Sequence, residues 1–224
     1  MNVLGFDTAT AASAACVLRS DGEAFECEPS PELLGGPPGH SRELMPAIAA
    51  CLDRAGLGWS EVGAVAVGVG PGGFTGLRIG VATARGLAGA HGLELRPVSS
   101  LAALAHGSEE PRRLALIDAR RGEVYAALYD GDTEVIPPFA APPETAIARV
   151  FCSEERDLLA LGDGSLRFRE VLEAAGIRVA PPGSRVHVVR GLSVCRLALS
   201  AAANATKAVL PHYLRAPDAT PSPK

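Results

Sequence analysis

Val65-Ala-Val-Gly-Val-Gly-Pro-Gly-Gly-Phe-Thr-Gly-Leu-Arg-Ile-Gly80 passes from an apolar, β-branched run into a glycine cluster and on into a long helical pattern. Strand, turn and helix in that order form the building unit of an α/β fold. Glycines permit positive φ and close approach of other groups. A helix start offers unpaired N–H groups at the positive end of its dipole. The segment therefore suits either a bound phosphate or the seating of one helix tightly against a neighbour.

Upstream, Asn2 to Phe6, Ala12 to Arg19 and Glu23 to Cys27 read as strands, the last two joined by the turn Ser20-Asp21-Gly22. They predict an antiparallel meander. Pro29 to Gly39 reads as a mobile surface connector. Ser41 to Ala55 has Leu44, Ile48, Leu52 and Ala55 at helical spacing, with Ser41 as N-cap, Glu43 in the first turn and Pro46 in or near that turn. Val62 to Val69 predicts a strand, Thr75 to Ala90 a helix, Arg96 to Val98 a strand, and Ser99 or Ser100 to His106 a helix.

The charged break Glu109-Glu110-Pro111-Arg112-Arg113 predicts a boundary between residues 1–110 and 111–215, with 216–224 as a disordered tail. In the second half, Leu114 to Asp118 and Glu123 to Tyr129 read as strands around Ala119-Arg120-Arg121-Gly122. Pro137 to Pro143 reads as an irregular link. A helix at Thr145 to Val150, a strand at Leu158 to Leu161, and helices at Leu166 to Ala175 and Val188 to Ala203 follow. Alternation in both halves predicts two α/β lobes.

Of the 224 residues 47% are apolar and only 4% aromatic, so aliphatic side chains and alanine fill the core. A formal net charge of −4 argues against a chain that grips nucleic acid alone. No run reaches the length of a membrane span, and Asn2 to Phe6 follows the first residue with no basic leader. Five scattered cysteines without metal spacing read as reduced thiols of a cytoplasmic protein.

Asp7-Thr8-Ala9-Thr10, directly after the first strand, suits a magnesium–phosphate unit or an Asx-type cap of its own turn. Gly162-Asp163-Gly164 repeats the theme in the second half. With Gly70, Gly72, Gly73, Thr75 and Gly76 these make three loops at strand ends, where α/β sheets bind nucleotides. His40, His91, His106, His187 and His212 form no metal pattern and read as surface or capping residues. There is no G-x-S-x-G elbow, no P-loop lysine, and no cysteine with an evident base beside it.

The helix Thr75 to Ala90 is lined with glycine and alanine, which lets another backbone come close. Two readings stay open: packing onto its own sheet, or docking a second protein together with Leu44, Ile48 and Leu52. On the docking reading the interface holds His40, Leu44, Ile48, Leu52, Leu77, Val81, Ala84 and Ala88. Leu44→Arg or Ala84→Arg is then expected to weaken partner binding and leave the fold intact.

In order along the chain, these segments resemble one family. Leu4-Gly-Phe-Asp-Thr-Ala-Thr10, His40-Ser41 with Leu44 and Pro46, the stretch from Val67 to Gly80, Asp118-Ala-Arg-Arg-Gly-Glu-Val-Tyr125 and Pro211-His-Tyr-Leu-Arg215 all match TsaB, also called YeaZ. That family is the accessory subunit of bacterial tRNA threonylcarbamoyladenosine synthesis. Residues 130–182 match loosely.

The resemblance implies a two-lobed actin-like/Hsp70-like ATPase (ASKHA) fold and a role beside a catalytic paralogue, TsaD, which modifies the adenosine beside the anticodon. The paralogue carries an Asn-His-x-x-Gly-His metal motif. The matching stretch here, Ser99-Ser100-Leu101-Ala102-Ala103-Leu104, puts Ser100 and Leu104 at the histidine positions, and neither replaces a histidine ligand of iron or zinc. The resemblance further implies homodimers when alone, a TsaE-type ATPase as third partner, tRNA contact only through the complex, and no membrane. Asp7, Thr8, Thr10 and the glycine loop would be remnants of a nucleotide cleft. No cofactor is then required, although weak ATP or ADP binding is allowed. The alternatives are a nucleotide-binding ATPase or kinase using Asp7 and the glycine loop, and a metallopeptidase-like protein.

Overall fold

The computed structural model describes residues 1–151, 157–200 and 209–215. The expected tail, 216–224, and the end expected for the last helix, 201–203, lie outside the described residues.

Strands β1 (Asn2–Asp7), β2 (Ala14–Leu18) and β3 (Ala24–Cys27) form the antiparallel meander. Helix α1 (His40–Ala55) leads to β4 (Val62–Gly68), and α2 (Phe74–His91) leads to β5 (Glu94–Val98). The sheet order is β3-β2-β1-β4-β5, with β4 parallel to β1 and β5 parallel to β4. Side-chain alternation decides what each face covers. Leu4, Phe6, Ala15, Val17, Val65 and Val67 pack under α1 and α2, whereas Val3, Cys16, Leu18, Ala64 and Ala66 face the middle of the molecule.

Helix α1 starts one residue before the expected cap, with Gly39 as N-cap and no capping side chain, so Ser41 lies inside it. Pro46 is its seventh residue, beyond the first turn. The missing N–H costs the helix one internal bond. Burial of Leu44, Ile48, Cys51, Leu52 and Ala55 on the sheet holds the helix nonetheless.

After α3 (Ser100–His106), capped by the Ser99 hydroxyl, the second sheet begins. Its strands are β6 (Arg112–Arg120), β7 (Glu123–Asp130) and β8 (Thr133–Ala141). Helix α4 (Pro143–Val150), β9 (Leu159–Leu161), α5 (Asp163–Arg167), α6 (Arg169–Ala174) and β10 (Arg178–Val179) follow. The order β10-β9-β6-β7-β8 repeats that of the first sheet: a three-stranded meander extended by two parallel strands.

Strand β8 replaces the irregular link expected at Pro137 to Pro143. Among the described residues it pairs only with β7, and Pro137 and Pro138 fall where the register shifts. On an edge and at a bulge a missing N–H breaks no needed ladder bond. The single helix expected from Leu166 is two short ones, interrupted at Phe168 with φ −110° and ψ 27°.

Each lobe's last helix crosses to the other sheet. Helix α3 packs against β6 and β7, and α7 (Gly191–Leu199) lies on β1 and β2. Leu101, Leu104, Val194 and Cys195 thus share one central core with Ala115, Ile117 and Ala127 of the second sheet. The seat of α7 is close: a Cβ on Gly5 would lie 2.5 Å from Cys195 Sγ. Arg190 at its start meets the Glu26 and Glu28 carboxylates at 2.5 Å each. Two segments expected in the second lobe pack on the first: α7, and the return segment containing Val209, which is buried in the core beneath α1 and α2. Among the described residues no helix is long and apolar enough to cross a membrane.

Candidate functional site

A cleft of about 1000 Å³ opens between the lobes where the β1–β2 turn, the start of α2, the β6–β7 hairpin, the start of α5 and the return segment meet. Of the expected cleft residues, Thr8, Thr10, Gly72, Gly73, Thr75, Gly76 and Asp163 line it. Asp7, Gly70, Gly162 and Gly164 do not.

Asp7 is sealed. The Ser100 hydroxyl donates to its Oδ2 at 2.5 Å and the Ala9 N–H to its Oδ1 at 2.7 Å. Ser100 in turn accepts the Gly70 N–H at 3.1 Å, and its own N–H bonds the Gly70 carbonyl at 2.9 Å. These bonds tie β1, the glycine loop and α3 together. Burial raises the Asp7 pKa above the ordinary carboxylate value, while the two hydrogen bonds pull against it. With one donor on each oxygen and only 1% of the residue exposed, Asp7 is held from the cleft rather than presented to it.

The glycine run serves close packing. A Cβ on Gly76 would lie 2.1 Å from the Thr8 carbonyl, and one on Gly80 2.3 Å from Thr8 Oγ1. The Thr8 hydroxyl donates to the Gly76 carbonyl at 2.8 Å, and the Gly73 N–H donates to the Ala9 carbonyl at 2.7 Å. The β1–β2 turn therefore lies directly on the first turns of α2. Gly162 and Gly164 pack the same way against the Leu116 and Ile117 backbone.

The expected partner-interface residues lie inside the chain. Leu44, Ile48, Leu52, Val81, Ala84 and Ala88 are buried beneath α1 and α2, and Leu77 is buried in the central core. A helix needs such a stripe for its own sheet before it has one to offer a partner. The outer faces instead show Met45, 46% exposed, with Ala49, Ala82, Gly86 and Gly89. Gly86 and Gly89 border open space.

His40 is buried in the cleft wall, with Nδ1 2.8 Å from Ser13 Oγ, and burial lowers its pKa. His187, also expected at the surface or in a cap, is fully buried. Its ring nitrogens lie 3.1 Å from the Gly162, Ala180 and Pro181 carbonyls.

The second lobe supplies the cleft's ionisable groups. Asp163 heads α5, and its Oδ1 accepts the Asp118 N–H at 3.0 Å. Burial, with the Asp118 charge adding, pushes its pKa up to about 6 against the opposing backbone bonds. Asp118 is paired with Arg120 at 3.2 Å and Arg167 at 2.9 Å.

The return segment spans both lobes. The His212 N–H bonds the Val69 carbonyl at 2.7 Å. Arg215 reaches the Ala119 carbonyl at 3.0 Å and Glu123 at 3.1 Å. Between them Tyr213 lies 5.3 Å from the Phe74 ring and accepts a 3.1 Å bond from Arg78 Nε. Phe74, Arg78, Tyr213 and Arg215 were not singled out from the sequence. The signal was there: motif segments carrying arginine and aromatic residues, but 135 positions apart for Arg78 and Tyr213.

A family model described as "TsaD: tRNA N6-adenosine threonylcarbamoyltransferase" matches residues 37–220. A relative from Escherichia coli, the "tRNA threonylcarbamoyladenosine biosynthesis protein TsaB", is 38% identical over 139 residues, 59% of this chain and 56% of that one. The chain belongs to the TsaD-type family, on its TsaB (YeaZ) branch. It thus spans little more than half the length of the Escherichia coli TsaB. The TsaB of Bacillus subtilis is 28% identical over 80% of this chain and 81% of its own. A solved structure of YeaZ from Pseudomonas aeruginosa superposes with a TM-score of 0.76 at 29% identity, covering 95% of this chain and 99% of that one. Another Pseudomonas aeruginosa structure, described as similar to peptidase YEAZ, has a TM-score of 0.77 at 29% identity over 96% of this chain and 99% of its own. The two-lobed α/β architecture is thus that of the TsaB family, of the ASKHA type.

Proposed function

We propose that this TsaB-family chain is a non-catalytic activator in tRNA threonylcarbamoyladenosine synthesis. It binds a TsaD-type catalytic paralogue, with a TsaE-type ATPase as third member, and the paralogue's transfer of a threonylcarbamoyl group to tRNA depends on it. The observation that carries the reading is the commitment of Asp7 to Ser100. The position where the paralogue places a metal-binding imidazole is used here to fasten β1, the glycine loop and α3, and Leu104, at the other histidine position, is buried in the central core. The names of its Escherichia coli and Bacillus subtilis relatives support the pathway.

The partner docks on the outer faces of α1 and α2, where Met45, Ala49, Ala82 and Gly86 leave a shallow surface that another helix can approach. Alone, two copies pair through the same faces. A partner that binds the active conformer of TsaD preferentially raises its population by the differential affinity. Four free thiols among the described residues fit a cytoplasmic location. The peptidase and Asp7-dependent ATPase readings gain no support from a sealed Asp7.

The test is reconstituted tRNA modification by TsaD, TsaE and the adenylate-forming enzyme, with and without this chain. Product only in its presence supports the activator role. Equal product without it overturns that role.

A further inference from the structure

The four cysteines among the described residues fall into two pairs, one on each face of the first sheet. Cys16 and Cys195 lie in the central core. Neither is exposed, and the Cys195 thiol donates to the Cys16 carbonyl at 3.5 Å. Cys27 and Cys51 lie on the other face, under α1.

Three contacts bring the second pair together. Cys27 ends β3, the edge strand of the sheet, and strand alternation turns it with Phe25 towards α1. Its thiol donates to the Ala47 carbonyl of α1 at 3.6 Å. In an α-helix that carbonyl also takes the N–H of the residue four further on, so the Cys27 sulfur sits against the turn that carries Cys51. The Cys51 thiol donates to the Ala15 carbonyl at 3.4 Å, and Ala15 is the residue opposite Cys27 in the β2–β3 ladder. The two thiols also bond each other.

The pairs differ in access. Cys27 is partly exposed at the sheet edge, and Cys51 is buried behind it. Burial, with Cys27 beside it, pushes the Cys51 thiol up to about 12. Cys51 therefore stays protonated, and Cys27 is the sulfur that a reagent meets first.

We propose that Cys27 and Cys51 are a modification site, oxidised by a hydroperoxide to a reversible disulfide that staples β3 to α1. The Cys27 thiol gives its proton to water, and the thiolate attacks the terminal oxygen of the O–O bond. Cys27 becomes a sulfenic acid, while the other oxygen takes up a proton and leaves as an alcohol, or as water from hydrogen peroxide. The Cys51 sulfur then attacks the Cys27 sulfur, and the sulfenic hydroxyl leaves with the Cys51 proton as water. The two sulfurs have lost two electrons to the O–O bond, and a dithiol reductant returns them. Transient disulfides of this kind are compatible with a reducing compartment. The site lies outside the activator reading and does not depend on it.

Peptide mapping of the full chain after hydrogen peroxide, with and without later dithiothreitol, tests the proposal. The expected result is a Cys27–Cys51 link that dithiothreitol removes, with Cys16 and Cys195 still free. Closing that loop should raise the melting temperature by about 5 °C or more until the chain is reduced. Cys27→Ser should abolish the link and leave Cys51 a free thiol. In Cys51→Ala the stranded Cys27 sulfenic acid should label with dimedone. A Cys27 that stays a free thiol at peroxide levels that fully oxidise glutathione overturns the proposal. So does sulfinic acid at Cys27 without a link, a link from Cys27 to any other cysteine, a Cys16–Cys195 link that forms as fast, or a fall in melting temperature on linking.

Discussion

The two lobes share a strand order but treat the acid at the cleft oppositely. In the first, Asp7 at the end of β1 is closed over by Ser100 and the Ala9 amide, and the 18-residue α2 lies on its turn through glycine. In the second, β9 has three residues, its helix is broken at Phe168, and Asp163 stands at the cleft with one oxygen bonded to the Asp118 amide. One lobe has spent its turn on packing, and the other has kept a half-buried carboxyl facing the cavity. Repetition of a topology therefore does not carry over the chemistry of its turns. What a strand-end acid can do depends on which donors reach it.

The largest expected effect tests whether the first lobe's helices are core before they are interface. Leu44→Arg places a charge where no solvent reaches, and should cost more than about 4 kcal/mol. Chemical denaturation of the variant reads this directly. A folded variant that had lost only its partner would restore the interface role expected for this stripe. Next comes Gly76→Ala, whose methyl would meet the Thr8 carbonyl at 2.1 Å. The backbone cannot yield as a flexible side chain would, so a loss of about 3 kcal/mol is expected. A neutral outcome in urea melts would mean that the turn is free to lift from α2.

Asp163→Asn sharpens the comparison from the second lobe. The folded state holds this proton more tightly than the unfolded chain, because the pKa rises from 3.8 to about 6. Stability from this residue is full below about pH 4, falls as pH rises through about 6, and is constant above. Asparagine keeps an acceptor for the Asp118 amide and removes the charge. The variant should therefore be more stable by about 1–3 kcal/mol above pH 6, with no gain below pH 4. Thermal melts from pH 4 to 8 that run parallel for both proteins would show that Asp163 is well solvated.

Much of the fold was written in local pattern. The apolar run of β4, the glycine cluster and the helical spacing after it form the unit that the structure shows, and so does the opening meander. The misses have physical causes. Pro137 and Pro138 look like strand breakers until the partner strand is known, since only an edge or bulge frees them. The stripe Leu44, Ile48, Leu52 reports burial at a 3.6-residue period, and burial against a sheet has the same period as burial against a partner. Crossing of α3 and α7 to opposite sheets is a tertiary event with no local signature. The cleft joins Thr10, Arg78, Asp163 and Tyr213 from four distant segments, so its aromatic and cationic wall exists only after folding.

The smallest effect separates the two faces of one helix. Gly86 lies on α2 nearly three turns beyond Gly76, but a Cβ there meets nothing within 4 Å. Gly86→Ala should therefore stabilise the chain by about 0.5–1 kcal/mol, the difference in helix propensity with no clash to offset it. The inner glycines are required by the chain itself, so only outer ones such as Gly86 can report on a partner. If α2 docks TsaD through its bare face, the same methyl must hold the two backbones apart. A more stable variant that binds TsaD more weakly in a pull-down titration places the interface on the outer face. A more stable variant with unchanged binding moves the partner elsewhere and leaves the bare surface of α2 without a role in docking.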